Sequence, residues 1–223
     1  MGNMVQQAAK IFLAGNRNKF ESNQYRCFTT LIDAAWARED NIQFFDETLA
    51  PGKSKFFTPE NDTAIILIPL VGNIIYGNLE KGHSVKIAPE ELQVASIKKG
   101  MSFSIKNPHQ NNLANYLQIR IKIEVLDKKI SFFDYGHNAL NILFENTTAK
   151  LHFGVLDGRM EETLVLSNKN SSIIPFVING AFEVQNRLLE SRDSLALKNL
   201  DELEIEALSE NAIILILEKN NTC

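Results

Sequence analysis

The stretch Phe56-Phe-Thr-Pro-Glu-Asn-Asp-Thr-Ala-Ile-Ile-Leu-Ile-Pro-Leu-Val-Gly72 decides the fold. Its second half, Ala64 to Val71, is a short apolar run rich in β-branched residues and closed by Gly72-Asn73, which predicts a buried strand ending in a tight turn. Ser54–Thr58 predicts a second strand upstream, and the polar tripeptide Thr58-Pro59-Glu60 lies between the two. Working outward, strand patterns recur at Asn41–Thr48, Ile74–Asn78, His83–Ile87, Leu92–Ile97, Met101–Lys106 and Tyr116–Val125, with earlier ones at Lys10–Leu13 and Arg26–Ile32. In Arg120-Ile-Lys-Ile-Glu-Val125 charged and apolar residues alternate, so the charged set is expected on a wet face. Asp33–Asp40 is the most helix-like segment, with Asp33 as a cap, and is long enough for a short helix only. Many short strands punctuated by Gly72, Gly77, Gly82 and Gly100 predict an all-β sandwich or barrel.

The second half repeats this order. Ile65-Ile-Leu-Ile-Pro-Leu-Val-Gly72-Asn-Ile-Ile-Tyr76 and Ile173-Ile-Pro-Phe-Val-Ile-Asn-Gly180-Ala-Phe-Glu-Val184 each give an apolar strand, a glycine turn and a second strand. Ser84–Ile87 and Leu92–Val94 then match Ser194–Leu197 and Leu203–Ile205, and Tyr116–Ile123 matches Ala212–Leu217. Two tandem barrels produce such a repeat. The expected division is a first barrel over 1–128, a linker over 129–150 where the texture loosens, and a second barrel over 151–223.

With 223 residues, 44% hydrophobic and 22% charged, the chain has the composition of a soluble globular protein with a substantial core. A net charge of -4 without a basic stripe argues against direct nucleic-acid binding. The two cysteines, Cys27 and Cys223, are far apart in sequence, so no structural disulfide is expected, and no apolar run is long enough to span a bilayer. The start of the chain lacks a secretory signal pattern, and a cytoplasmic location is expected.

The order of elements, with Thr58-Pro59-Glu60 opening the strand that ends in Leu70-Val71-Gly72, resembles the pirin-like bicupin family, which includes pirin and related bacterial quercetin dioxygenases. Glu91-Leu92-Gln93-Val-Ala-Ser96-Ile-Lys-Lys-Gly100-Met-Ser-Phe103-Ser104-Ile105 and Tyr116-Leu-Gln-Ile-Arg-Ile121 are similar to further family segments, and the likeness runs over nearly the whole chain. It implies two tandem cupin barrels of double-stranded β-helix, or jelly-roll, type. It also implies that the positions of the family's four metal ligands (three His and one Glu) fall on Thr58, Glu60, Phe103 and Ile105. A hydroxyl, one carboxylate and two apolar side chains are a poor donor set for iron, nickel or copper, so neither a bound metal nor another cofactor is expected.

Function is then expected to rest on binding, of a small apolar ligand in a first-barrel pocket formed by Thr58, Glu60, Phe103 and Ile105, or of a protein partner. Glu60 is either a polar anchor at the mouth of that barrel or a solvated loop carboxylate. One alternative is a metal-dependent dioxygenase of the quercetinase type using other ligands, but His83, His109, His137 and His152 form no His-x-His pair. Another is a structural homo-oligomer, with the aromatics of Ser131-Phe-Phe-Asp134 as the interface. The expected state is a monomer or homodimer. No Gly-x-Ser-x-Gly elbow and no phosphate-binding glycine loop occurs.

Overall fold

The computed structural model describes residues 8–37, 42–123, 125–132 and 135–220. Strands dominate: β1 (Ala9–Phe12), β2 (Asn18–Glu21), β3 (Tyr25–Ile32), β4 (Ile42–Leu49), β5 (Ser54–Phe57), β6 (Thr63–Val71), β7 (Ile74–Asn78), β8 (His83–Ile87), β9 (Glu91–Ile97), β10 (Phe103–Lys106) and β11 (Ala114–Ile121). They continue with β12 (Lys128–Ser131), β13 (Leu140–Glu145), β14 (Ala149–Leu156), β15 (Glu161–Val165), β16 (Ser172–Asn179), β17 (Ala181–Val184), β18 (Leu188–Glu190), β19 (Ser194–Lys198), β20 (Glu202–Ala207) and β21 (Ala212–Lys219). The helix-like segment shrinks to α1 (Ala34–Ala37), where the Asp33 carbonyl accepts from the Trp36 N–H at 2.9 Å; residues 38–40 of the expected helix lie outside the described residues.

Two compact units result, one comprising Arg17–Leu31 and Asp40–Asp134, the other Met1–Asn16, Ile32–Glu39 and Tyr135–Cys223. In the first, a sheet of order β12-β9-β6-β11-β4-β3-β2 faces one of order β5-β10-β7-β8. In the second, β1-β19-β16-β21-β14-β13 faces β15-β20-β17-β18. The shared run β9-β6-β11-β4-β3 and its counterpart β19-β16-β21-β14-β13 make the repeat explicit: each unit is an antiparallel jelly-roll barrel, and the chain is two cupin barrels in tandem.

The repeat differs from the sequence expectation in one respect. Ser194–Lys198 is the counterpart of β9, not of Ser84–Ile87, because both β9 and β19 pair with the central apolar strand of their barrel. The counterpart of β8 is the short β18, reached by a tight Gln185-Asn186 turn in which both residues have positive φ. Gly72 and Gly180 do correspond, each at the end of the central strand with φ +71 and +81.

The boundaries also differ. The expected linker 129–150 contains strands of both units: β12 pairs with β9 at the edge of the first barrel's large sheet, and β13 pairs with β14 in the second. Conversely β1, expected in the first barrel, pairs with β19 in the second, in register Ala9↔Leu197 to Phe12↔Ser194. Each barrel therefore receives an outermost strand from outside its own sequence repeat, and in both cases it lies beside the strand next to the central one.

Inward-facing alternate residues fill each barrel. Leu49, Ile65, Leu67, Tyr76, Phe103 and Ile105 belong to the first core, and Leu156, Ile173, Val177, Phe182, Leu195 and Ile214 to the second. In β6 and β16 both faces are buried, which is why those strands read as continuous apolar runs.

Candidate functional site

β10 lies between β5 and β7, with Phe103 opposite Phe57 and Asn78, and Ile105 opposite Lys55 and Tyr76. The alternation of the pleat turns Phe103 and Ile105 inward, where both are buried and pack in the first core. The Phe103 ring lies edge-on to Phe57 at 5.4 Å between centroids and 6.0 Å from Tyr76. Thr58 and Glu60 follow the end of β5 and are both exposed; Thr58 shares a 2.5 Å hydrogen bond with Ser102, and between them buried Pro59 accepts from the Gly100 N–H at 3.0 Å. The four expected site residues thus divide into two that pack the core and two that stay on the surface.

A different polar set occupies the interior of this barrel. Glu47 on β4 is fully buried. Its carboxylate accepts from Lys55 Nζ at 2.6 Å and from the Tyr116 hydroxyl, and the Cys27 thiol approaches at 3.8 Å. Burial pushes the Tyr116 hydroxyl far above its ordinary value, and the neighbouring Glu47 charge adds to the effect. Burial, with Glu47 second, also raises the Cys27 thiol, which disfavours the nucleophilic thiolate.

Arg120, two residues on from buried Gln118 along the same face of β11, departs from the sequence expectation. It is not on a wet face: it is partly buried, with its guanidinium carbon 3.5 Å from the centroid of Phe57 and 4.1 Å from that of Phe45. The Gln118 amide, with its oxygen turned to the guanidinium, accepts from Nε and, at 2.9 Å, from one terminal nitrogen. Burial lowers the Arg120 pKa to about 10, so the group remains charged at neutral pH.

Neither Glu47 nor Arg120 was singled out from the sequence. Adjacent Phe44-Phe45 and Asp46-Glu47 blur the period-2 signal in β4; the usable clue is that Glu47 shares a face with Phe45 and Leu49. For Arg120 the clue is its phase with Tyr116 and Gln118.

The histidines are held apart. His83 is exposed, and His109 accepts from the Asn73 N–H at 2.9 Å. His137 pairs with Asp157 at 2.9 Å. His152, in the middle of β14, is buried with Nε2 3.7 Å from Glu218 Oε2, too far for a hydrogen bond. Glu218 accepts instead from the Ser167 N–H at 3.0 Å, and although burial opposes it, the nearby His152 ring and that N–H hold its carboxyl below the usual range.

On the outer face of the second barrel a cavity of about 240 Å³ is lined by Glu161, Thr163, Glu183, Glu204 and Glu206 among others. Among the described residues no three His, Cys, Asp or Glu side chains are placed to hold a metal ion. In the aromatic tetrapeptide at 131–134, Phe132 is buried, not exposed, and Phe133 and Asp134 lie outside the described residues.

This architecture defines the chain as a bicupin. Residues 137–218 match the family described as quercetinase C-terminal cupin domain. The bacterial pirin YhhW from Escherichia coli, solved in complex with nickel(II), superposes with a TM-score of 0.80 at 14% identity, covering 96% of this chain and 100% of that one. The protein YhaK from Escherichia coli gives 0.71 at 18% identity over 93% and 95%. Quercetin 2,3-dioxygenase from Acinetobacter baumannii gives 0.69 at 12% identity over 95% and 85%. No curated protein sequence matches the chain. The fold of the chain is similar to that of these proteins, two cupin barrels in tandem.

Proposed function

We propose that this bicupin does not carry out metal-dependent oxygenation and acts by binding, through a first barrel whose metal site is degenerate. The observation that carries this reading is the burial of Phe103 and Ile105 in the first core, at two of the positions where the family resemblance places ligands. Neither side chain has a donor atom, and both fill space that an ion would need. Thr58 and Glu60 offer only an exposed hydroxyl and an exposed carboxylate. The residues present do not fit a divalent transition ion, and we derive no step through one. The nickel(II) complex belongs to YhhW, and the dioxygenase name to the Acinetobacter protein.

The test is elemental analysis of protein purified without chelator, alongside quercetin depletion under oxygen with added iron, nickel or copper. Metal well below stoichiometric and no depletion above blank are expected. Near-stoichiometric metal, or metal-stimulated quercetin loss, would overturn the reading in favour of a quercetinase using other ligands.

A further inference from the structure

Asn179-Gly180 is the one Asn-Gly pair in the chain, and Asp157-Gly158 the one Asp-Gly pair. A backbone nitrogen that follows Asn can attack the side-chain carbonyl carbon, and a glycine exposes that nitrogen because it carries no Cβ to shield it. Structure decides whether such a pair reacts. The carboxamide must be free to turn toward the nitrogen, and the nitrogen must not be engaged as a hydrogen-bond donor.

At Asn179 both conditions hold. It is the last residue of β16, beyond the irregularity between Val177 and Asn179 in the pairing with β21, and its side chain is exposed. Neither its carboxamide nor the Gly180 N–H has a hydrogen-bond partner among the described residues. The turn is held through other atoms: the Gly180 carbonyl accepts from Ser191 Oγ at 3.1 Å, and the Ala181 N–H donates to Ser209 Oγ at 3.0 Å.

The Asp-Gly pair is the internal contrast. Asp157 Oδ1 is held by His137 Nε2 at 2.9 Å and Oδ2 by Asn138 Nδ2 at 3.0 Å, and the Gly158 N–H donates to Glu210 at 3.4 Å. Those side-chain bonds, His137 first, also keep the Asp157 carboxyl below its ordinary range, and an ionised carboxylate is a poor electrophile. In the first barrel the corresponding turn is Val71-Gly72, whose Val71 side chain has no carbonyl to attack.

We propose that Asn179 is a site of spontaneous deamidation. The Gly180 nitrogen forms a bond to Asn179 Cγ as the carboxamide C–N bond breaks, the amide proton leaves with the amine as ammonia, and a succinimide ring remains. Water then opens either of the ring's two C–N bonds, giving aspartate or iso-aspartate at this position. Iso-aspartate adds one carbon to the main chain directly before a glycine already pressed against β21, where a Cβ would meet Ala212 Cβ at 2.9 Å. That product therefore loosens the turn at the end of the second barrel's central strand.

The experiment is peptide mapping by mass spectrometry of the purified full chain aged at mildly alkaline pH and body temperature, with melting curves alongside. The peptide holding Asn179 should gain about one dalton, as exchange of NH2 for OH requires, and split into two products, while the other asparagines keep their mass and Asp157 forms no iso-aspartate. Asn179→Gln, whose longer side chain would have to close a larger ring, should keep its mass at that position, and its melting temperature should survive ageing where that of the wild type falls. The position is exposed, so the variant is expected to fold. No gain at Asn179, an equally fast gain at other asparagines, as much iso-aspartate at Asp157 as at Asn179, or an equal fall in melting temperature in wild type and variant would overturn the proposal.

Discussion

Phe103 and Ile105 sit where side chains must point inward, and together they complete the packing of the first core. Phe103→Ala should cost about 3–5 kcal/mol, as truncation of a fully buried aromatic does, read from the shift in urea midpoint. Glu47 makes the complementary case, because a fully buried carboxylate is tolerable only while its partners remain. Glu47→Ala, or Lys55→Ala alone, should each cost about 3–5 kcal/mol, whereas the double substitution Glu47→Leu with Lys55→Met should lose less than the sum of the singles. A double variant as damaged as that sum would argue against the pair acting as a unit. In the second barrel, Glu218 has a folded-state pKa below its ordinary 4.5, so the native state binds fewer protons than the unfolded one. Its stabilising contribution is present above that ordinary value and is lost as pH falls through the lowered one. Glu218→Gln should therefore flatten the acid limb of the stability profile between about pH 5 and the acid transition while lowering stability at pH 7. The residue-level facts least legible in the sequence were of this kind. Arg120 occurs in an alternating run whose charged members look solvated, and only the pairing of β11 with β4 and β6 reveals that its face is the interior one.

Strands were far more legible than faces. The apolar run of β6, the turn at Gly72 and the hairpin that follows were recoverable because β-branched stretches bounded by glycine have few alternatives. The matching of β9 with β19 was not, since the second barrel shortens its β17–β18 hairpin and the offset between repeats slips after it. Glycine at the repeated turn has a checkable role. A Cβ on Gly180 would meet Ala212 Cβ at 2.9 Å and its Cα at 3.1 Å, on a backbone with φ +81. Gly52 has a similar φ of +69 with nothing within 4 Å. Gly52→Ala should thus cost only the left-handed penalty of about 1–2 kcal/mol, and Gly180→Ala measurably more, both read by thermal denaturation. Equal losses would mean that the neighbours of Gly180 yield freely.

At the scale of the molecule, the tandem repeat was legible and the placement of the outer strands β1 and β12 was not. Periodicity identifies a strand, but a four-residue edge segment such as β1 has too little pattern to declare which of two similar barrels it completes. Only the register with β19 settles that, and the same holds for β12, whose Lys128-Lys129-Ile130-Ser131 resembles a connecting segment until it is seen beside β9. No helix among the described residues is long and apolar enough to cross a membrane.

The pairing of β1 with β19 also has a consequence in time. A strand near the beginning of the chain leaves the ribosome long before the strand it must hydrogen-bond to, while β2 to β12, with most of their partners nearby, are already available to one another. During synthesis the first barrel can close while β1 waits with an unpaired edge, and the second barrel is completed last, by a strand made before any of the others described. Closing so long a loop is slow relative to local pairing, so a refolding experiment should show the second barrel gaining protection after the first.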